Sequence, residues 1–573
     1  MSDPIQNQKT PRESWSTERS NYLSDPVLAH KLLKRINGEG EHLLALEVAE
    51  QILKDREFDD AVPVQQQMAR ALAILGSSAE ALAILEAIPS GRTDEAETRG
   101  LLARVWKDLA VAAEDSEERE RCFRESRRCY TEGYEAAALG GDADGAAYCG
   151  INAAASSVWV GEMDDAKKFA EAAEGFAKDD TSYYGVATRA EAALILGKDA
   201  EAEALYAEAS GMSERDKRWG DIASTRNQCR SLCLKLHGRR DRMDGCFTSG
   251  AVAIVSGKAL MKDEEVTDEM MADVKRRVSA WYEQNGVKHV FFGAVEGWGG
   301  VVVNILEELG AETHKVEATT WGTPEGVRLI SDRMVAARGV QHAKHLGVSV
   351  KPLVVGKSLF ATAAAQWIRD GRAPYVIYSD GSETDGVPDP DVPPNPVPFP
   401  MTLQSAGDRE AVVALLHMHF PSASIPGKAV LDVLSERIIA ANHPPVSIQG
   451  FGGDYLFVFG DLRHAAELAM VFSETLKGME EVADALPSMC LHAGLVDMSV
   501  NPLLHSYAPS GETVNRAAEI AGDLLQGAIY ATETFSALSA LESIRGFRFE
   551  HSGTVEVAGK TDRLFRIHPT VQP

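Results

Sequence analysis

The sequence predicts a multidomain protein in which three kinds of fold follow one another: an α-helical repeat array, a parallel α/β domain and an α+β domain. Three observations support this prediction. The length of 573 residues exceeds what one domain commonly needs. Apolar residues recur at helical spacing up to about residue 244, whereas short β-rich runs follow Gly245. A proline-rich segment then precedes a second series of alternating strands and helices.

The predicted boundaries lie where these patterns change. Residues 1–28 begin with a polar stretch and are expected to form a disordered tail. The segment Asp385–Pro400 has seven prolines among the thirteen residues from Pro388, which predicts a stiff, extended spacer. The parts are therefore 29–244 for the helical array, 245–380 for the α/β domain, 381–404 for the linker and 405–573 for the α+β domain.

Composition and charge argue against several partners. The chain has 58 Lys and Arg against 85 Asp and Glu, a net charge of −27, and we find no basic stripe that would hold nucleic acid. It has neither a signal-peptide pattern nor an apolar run of membrane-span length, so we expect a cytoplasmic protein without a membrane partner. The seven cysteines lack CxxC pairs, and Cys229 and Cys233, one helical turn apart, have no neighbouring His or Cys pair to complete a metal site.

The helical array contains repeated helical hairpins. In Met68–Pro89, small residues, a Leu-Gly turn and a closing proline occupy the positions expected in a tetratricopeptide repeat. A similar pattern recurs in 187–209. Such hairpins stack into a solenoid whose concave face usually binds another protein. A plain helical bundle without a partner is the alternative.

Four segments of the array resemble the TRAF-binding region of MAP kinase kinase kinases of the apoptosis-signal-regulating type and of many bacterial proteins. They are Glu97–Asp108, Cys129–Ala136, Tyr148–Ala155 and Asp221–Leu232. The resemblance implies a protein-interaction or regulatory module. It does not imply kinase activity, because the chain has no kinase glycine loop, His-Arg-Asp or Asp-Phe-Gly motif.

The α/β domain is predicted from strand-like runs that end in glycine and are separated by helical segments. The stretches Val252–Met261 and Gly297–Val316 resemble the SLOG family of Rossmann-like domains, which are proposed to sense nucleotide-derived ligands. A glycine-rich turn lets backbone amides approach an anion at a helix N-terminus, although close packing of strand against helix also needs glycine. The candidate ligand-binding residues are Gly257, Lys258, Gly297, Trp298, Gly299 and Gly300.

Two other readings of this domain stay open. Lys258 either contacts a phosphate or is a solvated loop residue. Glu296 or Glu317 could supply the carboxylate that nucleotide cleavage requires, although each also fits a surface position.

The α+β domain resembles the class III adenylate/guanylate cyclase domain, a ferredoxin-like fold. The resemblance is carried by Gly452–Ala469, Met489–Met498, Gly511–Ala521 and the final FRFEHSGTVEVAGKTDRLFRI. It implies a dimer with shared sites in which two carboxylates hold two divalent metals, and an Asn and an Arg stabilise the transition state.

Only part of that set is present. Asp454 matches the second metal aspartate and Asn515 matches the catalytic asparagine, but Leu415–Phe420, on the opening strand, contains no acid. Glu519 stands where the arginine belongs, and the neighbouring Arg516 is expected on another face of the helix.

Two histidines on the opening strand are possible substitute ligands. His417 and His419 share one strand face and could join Asp454 at a metal, but packing or partner contact would also explain them.

The residues favour a cytoplasmic signalling or regulatory protein. Its helical repeats bind a protein, its SLOG-like domain senses a nucleotide-derived ligand, and its cyclase-like domain is an inactive pseudoenzyme that forms a homodimer or heterodimer. No cofactor is certain, and Mg²⁺ or Mn²⁺ is expected only if the cyclase-like domain is active. There are two alternatives. The first is an active class III cyclase, which is a phosphorus–oxygen lyase that makes a cyclic nucleotide. The second is cleavage of a nucleotide by the SLOG-like domain.

Overall fold

The structure is a computed structural model that describes most of the chain. The described residues are 10–89, 95–113, 115–216, 218–247, 251–256, 267–293, 297–317, 324–346, 348, 350–355, 375–377, 383–385, 401–402, 410–421, 426–482, 485–501, 506–522, 524–542, 544 and 546–569. They form two compact units. One comprises residues 1–248 with 550–554 and 568–573, and the other comprises 249–549 with 555–567.

The first unit is built from twelve described helices in succession. They are α1 (Pro11–Ser24), α2 (Pro26–Gly38), α3 (His42–Asp55), α4 (Val62–Leu75), α5 (Ser78–Glu86), α6 (Glu95–Ala112), α7 (Ser116–Gly140), α8 (Ala143–Val160), α9 (Met163–Phe176), α10 (Tyr183–Ile195), α11 (Asp199–Arg215) and α12 (Trp219–His237). The predicted hairpin in 68–89 corresponds to α4 and α5, and the one in 187–209 to α10 and α11. A helical N-terminal region is thus confirmed.

The expected disordered tail is wrong from Pro11 onward, because α1 and α2 occupy much of 1–28. A reciprocal capping box starts α1: the Thr10 hydroxyl accepts from the Glu13 amide, and the Glu13 carboxylate accepts from the Thr10 amide. Trp15 then buries its ring at 6% exposure. These local signals outweigh the polar composition that suggested a tail.

Small side chains allow the helices of the array to pack closely. Buried alanines of α8, α9 and α10 share one core with the aromatic ring of Tyr206 from α11. Several helices end at a glycine with positive φ, and Gly76, at φ 93° after α4, makes the turn between two helices of a hairpin. Among the described residues, no helix combines the length and the apolar character needed to cross a membrane.

A buried polar network joins α2, α3 and α4. The ring Nδ1 of His42 lies 3.0 Å from Asn37 Oδ1, and the Asn37 amide donates to the Gln67 carbonyl at 3.0 Å. Burial, helped by the positive charges of Arg70 and Arg104, lowers the pKa of His42 to about 4. His42 is therefore a neutral hydrogen-bonding group at pH 7.

The second unit begins with a six-stranded sheet in the order β3-β2-β1-β4-β5-β6. Its strands are β1 (Ala251–Ser256), β2 (Val287–Phe292), β3 (Glu312–Lys315), β4 (Val350–Val355), β5 (Tyr375–Ile377) and β6 (Glu383–Asp385), and its helices are α13 (Asp268–Asn285), α14 (Trp298–Glu308) and α15 (Pro324–Leu346). Neighbours are parallel except for the β5–β6 pair. This arrangement agrees with the predicted parallel α/β pattern.

A nine-stranded sheet follows. Its strands are β7 (Met401–Thr402), β8 (Glu410–His419), β9 (Ser447–Phe451), β10 (Asp454–Phe459), β11 (Ser488–Asn501), β12 (Ser506–Ser510), β13 (Ile529–Thr532), β14 (Phe547–Val557) and β15 (Lys560–Pro569). The order is β14-β15-β13-β11-β8-β10-β9, with β12 beside β11 and β7 beside β8. The helices are α16 (Lys428–Ala440), α17 (Leu462–Lys477), α18 (Glu512–Gly522) and α19 (Glu533–Leu541). Most of the predicted linker lies outside the described residues, but 383–385 and 401–402 are strands.

Within this second unit, α15 packs against α19. Arg333, whose side chain is 1% exposed, forms an ion pair with Glu542, and Arg338 pairs with Glu533. A hydrogen bond of 2.7 Å joins Gln341 Nε2 to Ser536 Oγ. The helix that covers the parallel sheet is thereby joined to the nine-stranded sheet domain by partly buried charged and polar contacts.

Candidate functional site

Two antiparallel strands place Asp454 opposite the two histidines of the opening strand. Asp454 pairs with His419, and Leu456 pairs with His417, in the register of β10 on β8. Because alternate residues of a strand share one face, both imidazoles lie on the side of the carboxylate. The hairpin before Asp454 needs glycine at 453, where a Cβ atom would lie 2.9 Å from the carbonyl oxygen of Phe420.

Both histidines bind the same carboxylate oxygen. His417 Nε2 lies 2.9 Å and His419 Nδ1 lies 2.8 Å from Asp454 Oδ1. A carboxylate can only accept, so each of these nitrogens carries a proton and donates. We call this arrangement of His417, His419 and Asp454 the histidine clamp.

The protonation states of the clamp follow from burial and hydrogen bonding. Burial lowers the pKa of His417, and the hydrogen bond to Asp454 opposes that shift without cancelling it. Burial raises the pKa of Asp454, but the two imidazole donors outweigh it and hold the pKa below its usual value. At pH 7 the clamp is a carboxylate that accepts from a neutral His417 and from His419.

The other cyclase-type positions lie on α18. Asn515 is exposed. Arg516 is buried, and its guanidinium donates to Asp562 Oδ2 at 2.6 Å, to the Val557 carbonyl at 2.6 Å and to Glu519 Oε2 at 3.2 Å. As the helical periodicity predicts, Arg516 points away from the face of Asn515 and anchors the β14–β15 hairpin instead.

The predicted ligand loop of the parallel sheet is described only in part. Gly257 and Lys258 lie outside the described residues, as does Glu296. Gly297 has φ 59° and ψ −131°, a conformation reserved for glycine, and precedes the first turn of α14. Trp298 and Gly299 are buried and Gly300 is half-buried, and the Trp298 ring packs in the core of this sheet.

The structure brings together three histidines that no sequence motif indicated: His289, His314 and His342. Their ring nitrogens lie within 4.8 Å of one another. The sequence shows a histidine inside each of the short strands KHVFF and ETHK. No local pattern indicates that these histidines would lie close to His342, on a helix further along the chain.

One comparison with known proteins matches part of the helical array. Residues 41–157 match the family model described as Tetratricopeptide Repeats-Sensor. A comparison with curated proteins finds no match.

Among solved structures, the chain is similar to the adenylyl cyclase CyaB of P. aeruginosa, with 12% identity over 28% of this chain and 94% of that one and a TM-score of 0.24. It is also similar to the guanylate cyclase domain of RhGC of Catenaria anguillulae, with 16% identity over 28% of this chain and 96% of that one and a TM-score of 0.24. A third is the dimeric guanylyl cyclase domain of the RhoGC fusion protein of Blastocladiella emersonii, with 18% identity over 28% and 97% of the two chains and a TM-score of 0.23.

Proposed function

We propose that this chain is a regulatory signalling protein whose cyclase-like domain does not make cyclic nucleotide. In this proposal the helical repeats bind a protein partner, and the parallel sheet domain binds a nucleotide-derived ligand. The cyclase-like domain serves as a dimerisation module. The observation that carries the catalytic part of the proposal is the histidine clamp.

The two histidines of the clamp hydrogen-bond to Asp454, the carboxylate on which metal-dependent cyclisation would depend. Two-metal catalysis needs carboxylates that hold both cations, and Mg²⁺ prefers oxygen ligands. Here the opening strand offers imidazoles where the first acid is expected, and Asp454 Oδ1 already accepts two hydrogen bonds. A divalent cation at this carboxylate would have to displace these donors from Oδ1 or bind through the other oxygen alone.

The transition-state arginine is also missing. Glu519 stands at its position with a side chain 42% exposed, and the adjacent Arg516 is 8% exposed and ion-paired with Asp562. A carboxylate repels the polyphosphate that an arginine would hold. Removal of one well-placed transition-state donor costs about 3–4 kcal/mol, so the combined loss makes the cyclisation rate very low.

The protein-binding part of the proposal is supported by the surface of the helical array. A cavity of about 370 Å³ lies among α5, α6 and α7, within the segment that matches the repeat family model. Its lining combines Trp106 and Leu102 with the guanidinium groups of Arg99 and Arg128. Such a mixture of aromatic, apolar and arginine side chains is typical of peptide-binding surfaces.

Regulation would pass between the two sheet domains through α15 and α19. Ligand binding near α14 would bias the position of α15, whose contacts with α19 include the Arg333–Glu542 and Arg338–Glu533 ion pairs. Ligand binding is tested at the glycine before α14. Substituting Gly297 with Val should abolish binding of ATP or ADP-ribose to purified protein, measured by calorimetry. The wild type should form no product from either nucleotide. Binding that survives this substitution would place the ligand elsewhere, and conversion of the nucleotide would favour cleavage over sensing.

The test of the catalytic proposal is mass spectrometry of products after incubation with ATP, GTP, CTP and UTP in Mg²⁺ or Mn²⁺. The matched control is Asp454→Ala, whose folding is verified by circular dichroism. We expect no cyclic nucleotide from either protein. A cyclic product that the wild type makes and Asp454→Ala does not would establish the alternative function, an active cyclase with histidine in its metal site.

Dimerisation is tested separately by light scattering at micromolar concentration. The proposal expects a dimer of the full chain. Three exposed apolar side chains are candidates for this contact: Ile439 near the end of α16, and Val446 and Ile448 at the start of β9. A monomer at that concentration would contradict this part of the proposal, and a dimer unaffected by Ile448→Lys would place the contact elsewhere.

A further inference from the structure

Three histidines from three different elements meet on one face of the parallel sheet. His289 lies on β2, His314 on β3 and His342 on α15. Their potential ligand nitrogens all lie within 4.8 Å of one another, and His314 Nε2 is 3.4 Å from His289 Nδ1. We call these residues the three-histidine cluster.

The fold explains how the cluster forms. In the parallel pairing of β2 with β3, His289 is opposite Glu312 and Phe291 is opposite His314, so the alternate residues of both strands face the same side. Helix α15 covers that side. Gly339, one turn before His342, allows its close approach, because a Cβ atom there would lie 2.6 Å from the Ile254 side chain.

The cluster is mostly shielded from solvent and has one open side. His289 is completely buried, and the His314 side chain is 27% exposed, which leaves one side open to solvent. Nε2 of His342 is buried and has no hydrogen-bond partner among the residues that the structure describes.

One of the nitrogen–nitrogen spacings fits a tetrahedral metal. Two ligand nitrogens at the usual Zn–N bond length, about 2.0–2.1 Å, are about 3.3 Å apart at a tetrahedral angle. The 3.4 Å separation of the His289 and His314 nitrogens matches that value. Two explanations compete with a metal site. Phe291 stacks on His314 with ring centroids 4.6 Å apart, and the His289 and His314 nitrogens are also within hydrogen-bond distance of each other. Neither requires a nitrogen of His342 to converge on the other two.

The geometry points to a binding site for a divalent transition metal, Zn²⁺ above all, held by His289, His314 and His342. Imidazole nitrogen suits Zn²⁺ better than Mg²⁺ or Ca²⁺, which prefer oxygen. Three protein ligands leave a fourth position open to water or to an anionic ligand. The Glu312 carboxylate lies 3.8 Å from both the His289 and the His314 nitrogens, where it adds the negative charge that a dication needs. This inference is independent of the proposed function.

The test is a Zn²⁺ titration of the full chain, produced without a polyhistidine tag and stripped with EDTA. Calorimetry should show one Zn²⁺ per chain. His314→Gln and His342→Gln should each weaken binding by at least about 100-fold, because even an outer-shell partner is worth 10–100-fold in metal affinity. His345→Gln, on the same helix but outside the cluster, is the matched control and should bind as the wild type does.

Two outcomes of the titration would overturn the inference. One is the absence of stoichiometric binding in the wild type. The other is Zn²⁺ binding that both His314→Gln and His342→Gln retain. If His417→Gln then removes that binding, the metal belongs to the histidine clamp. Co²⁺ adds a readout that does not depend on affinity: the cluster predicts the intense visible bands of a four- or five-coordinate ion, and a spectrum like that of aqueous Co²⁺ would contradict it. His314→Gln is preferred to a substitution at His289, which is completely buried. His314 lies on an edge strand and is partly exposed, so its variant should remain folded.

Discussion

One partly buried ion pair in the contact between α15 and the end of α19 should contribute strongly to the stability of the second unit. The Arg333 side chain is 1% exposed, while Glu542 is 34% exposed. Changing Glu542 to Gln removes the negative charge and leaves the shape nearly unchanged. Breaking a buried pair by removing one partner costs about 3–5 kcal/mol, and the partial exposure of Glu542 reduces the expected loss to about 2–3 kcal/mol in the free energy of unfolding.

Urea unfolding of the full chain, followed by circular dichroism, measures this loss in the transition of the second unit. The control is Asp432→Asn in the pair with Lys428, whose side chains are 58% and 90% exposed, and it should change stability by less than about 0.5 kcal/mol. The double variant Arg333→Met with Glu542→Leu should recover most of the loss, because it removes both charges together. If Glu542→Gln unfolds at the same urea concentration as the wild type, the reasoning about this contact is refuted.

Three further predictions concern single side chains. The folded pKa of His42, about 4, lies below the unfolded value near 6.5, so its contribution is complete above pH 6.5 and is lost as the pH falls toward 4. Over that range the wild type should lose about 3 kcal/mol more stability than His42→Gln in urea titrations, and parallel pH profiles would contradict this. Gly339→Ala should lower the free energy of unfolding by about 1–3 kcal/mol through overpacking against Ile254. The control Gly211→Ala, on an open helix surface, should raise it by about 0.5–1 kcal/mol in the same assay. Equal effects of the two substitutions would refute the close approach of α15 to the sheet at Gly339. His417→Ala should raise the pKa of Asp454 toward its usual value, measured by carbon-13 NMR of labelled aspartate, and an unchanged pKa would show that the clamp hydrogen bond does not hold it down.

The parts of the fold that depend on local pattern were predictable from the sequence. The Leu75–Gly76 turn, the change of pattern after Gly245 and the order of strands and helices around Asp454 all appear in the structure. The local signal that was undervalued is the Thr10 to Glu13 capping box, which makes a helix of a polar segment. Where the relevant chemistry is encoded in neighbouring residues, the sequence is informative.

Contacts between distant segments were only partly predictable. His417, His419 and Asp454 were predicted as a possible group because alternate residues share a strand face and Asp454 matches a cyclase metal aspartate. The three-histidine cluster was not, since it depends on how α15 lies across the sheet. That placement is set by burial of the whole helix face and by the close approach at Gly339, which no short motif records.

The most direct test of the central claim counts turnovers. Wild-type protein and Asp454→Ala are incubated with each nucleoside triphosphate and Mn²⁺ for many hours, and the cyclic nucleotide is quantified per chain by mass spectrometry. The histidine clamp and the buried Arg516 predict less than one cyclic nucleotide per chain from both proteins. More than one per wild-type chain, lost in Asp454→Ala, would contradict the account and establish a working cyclase site.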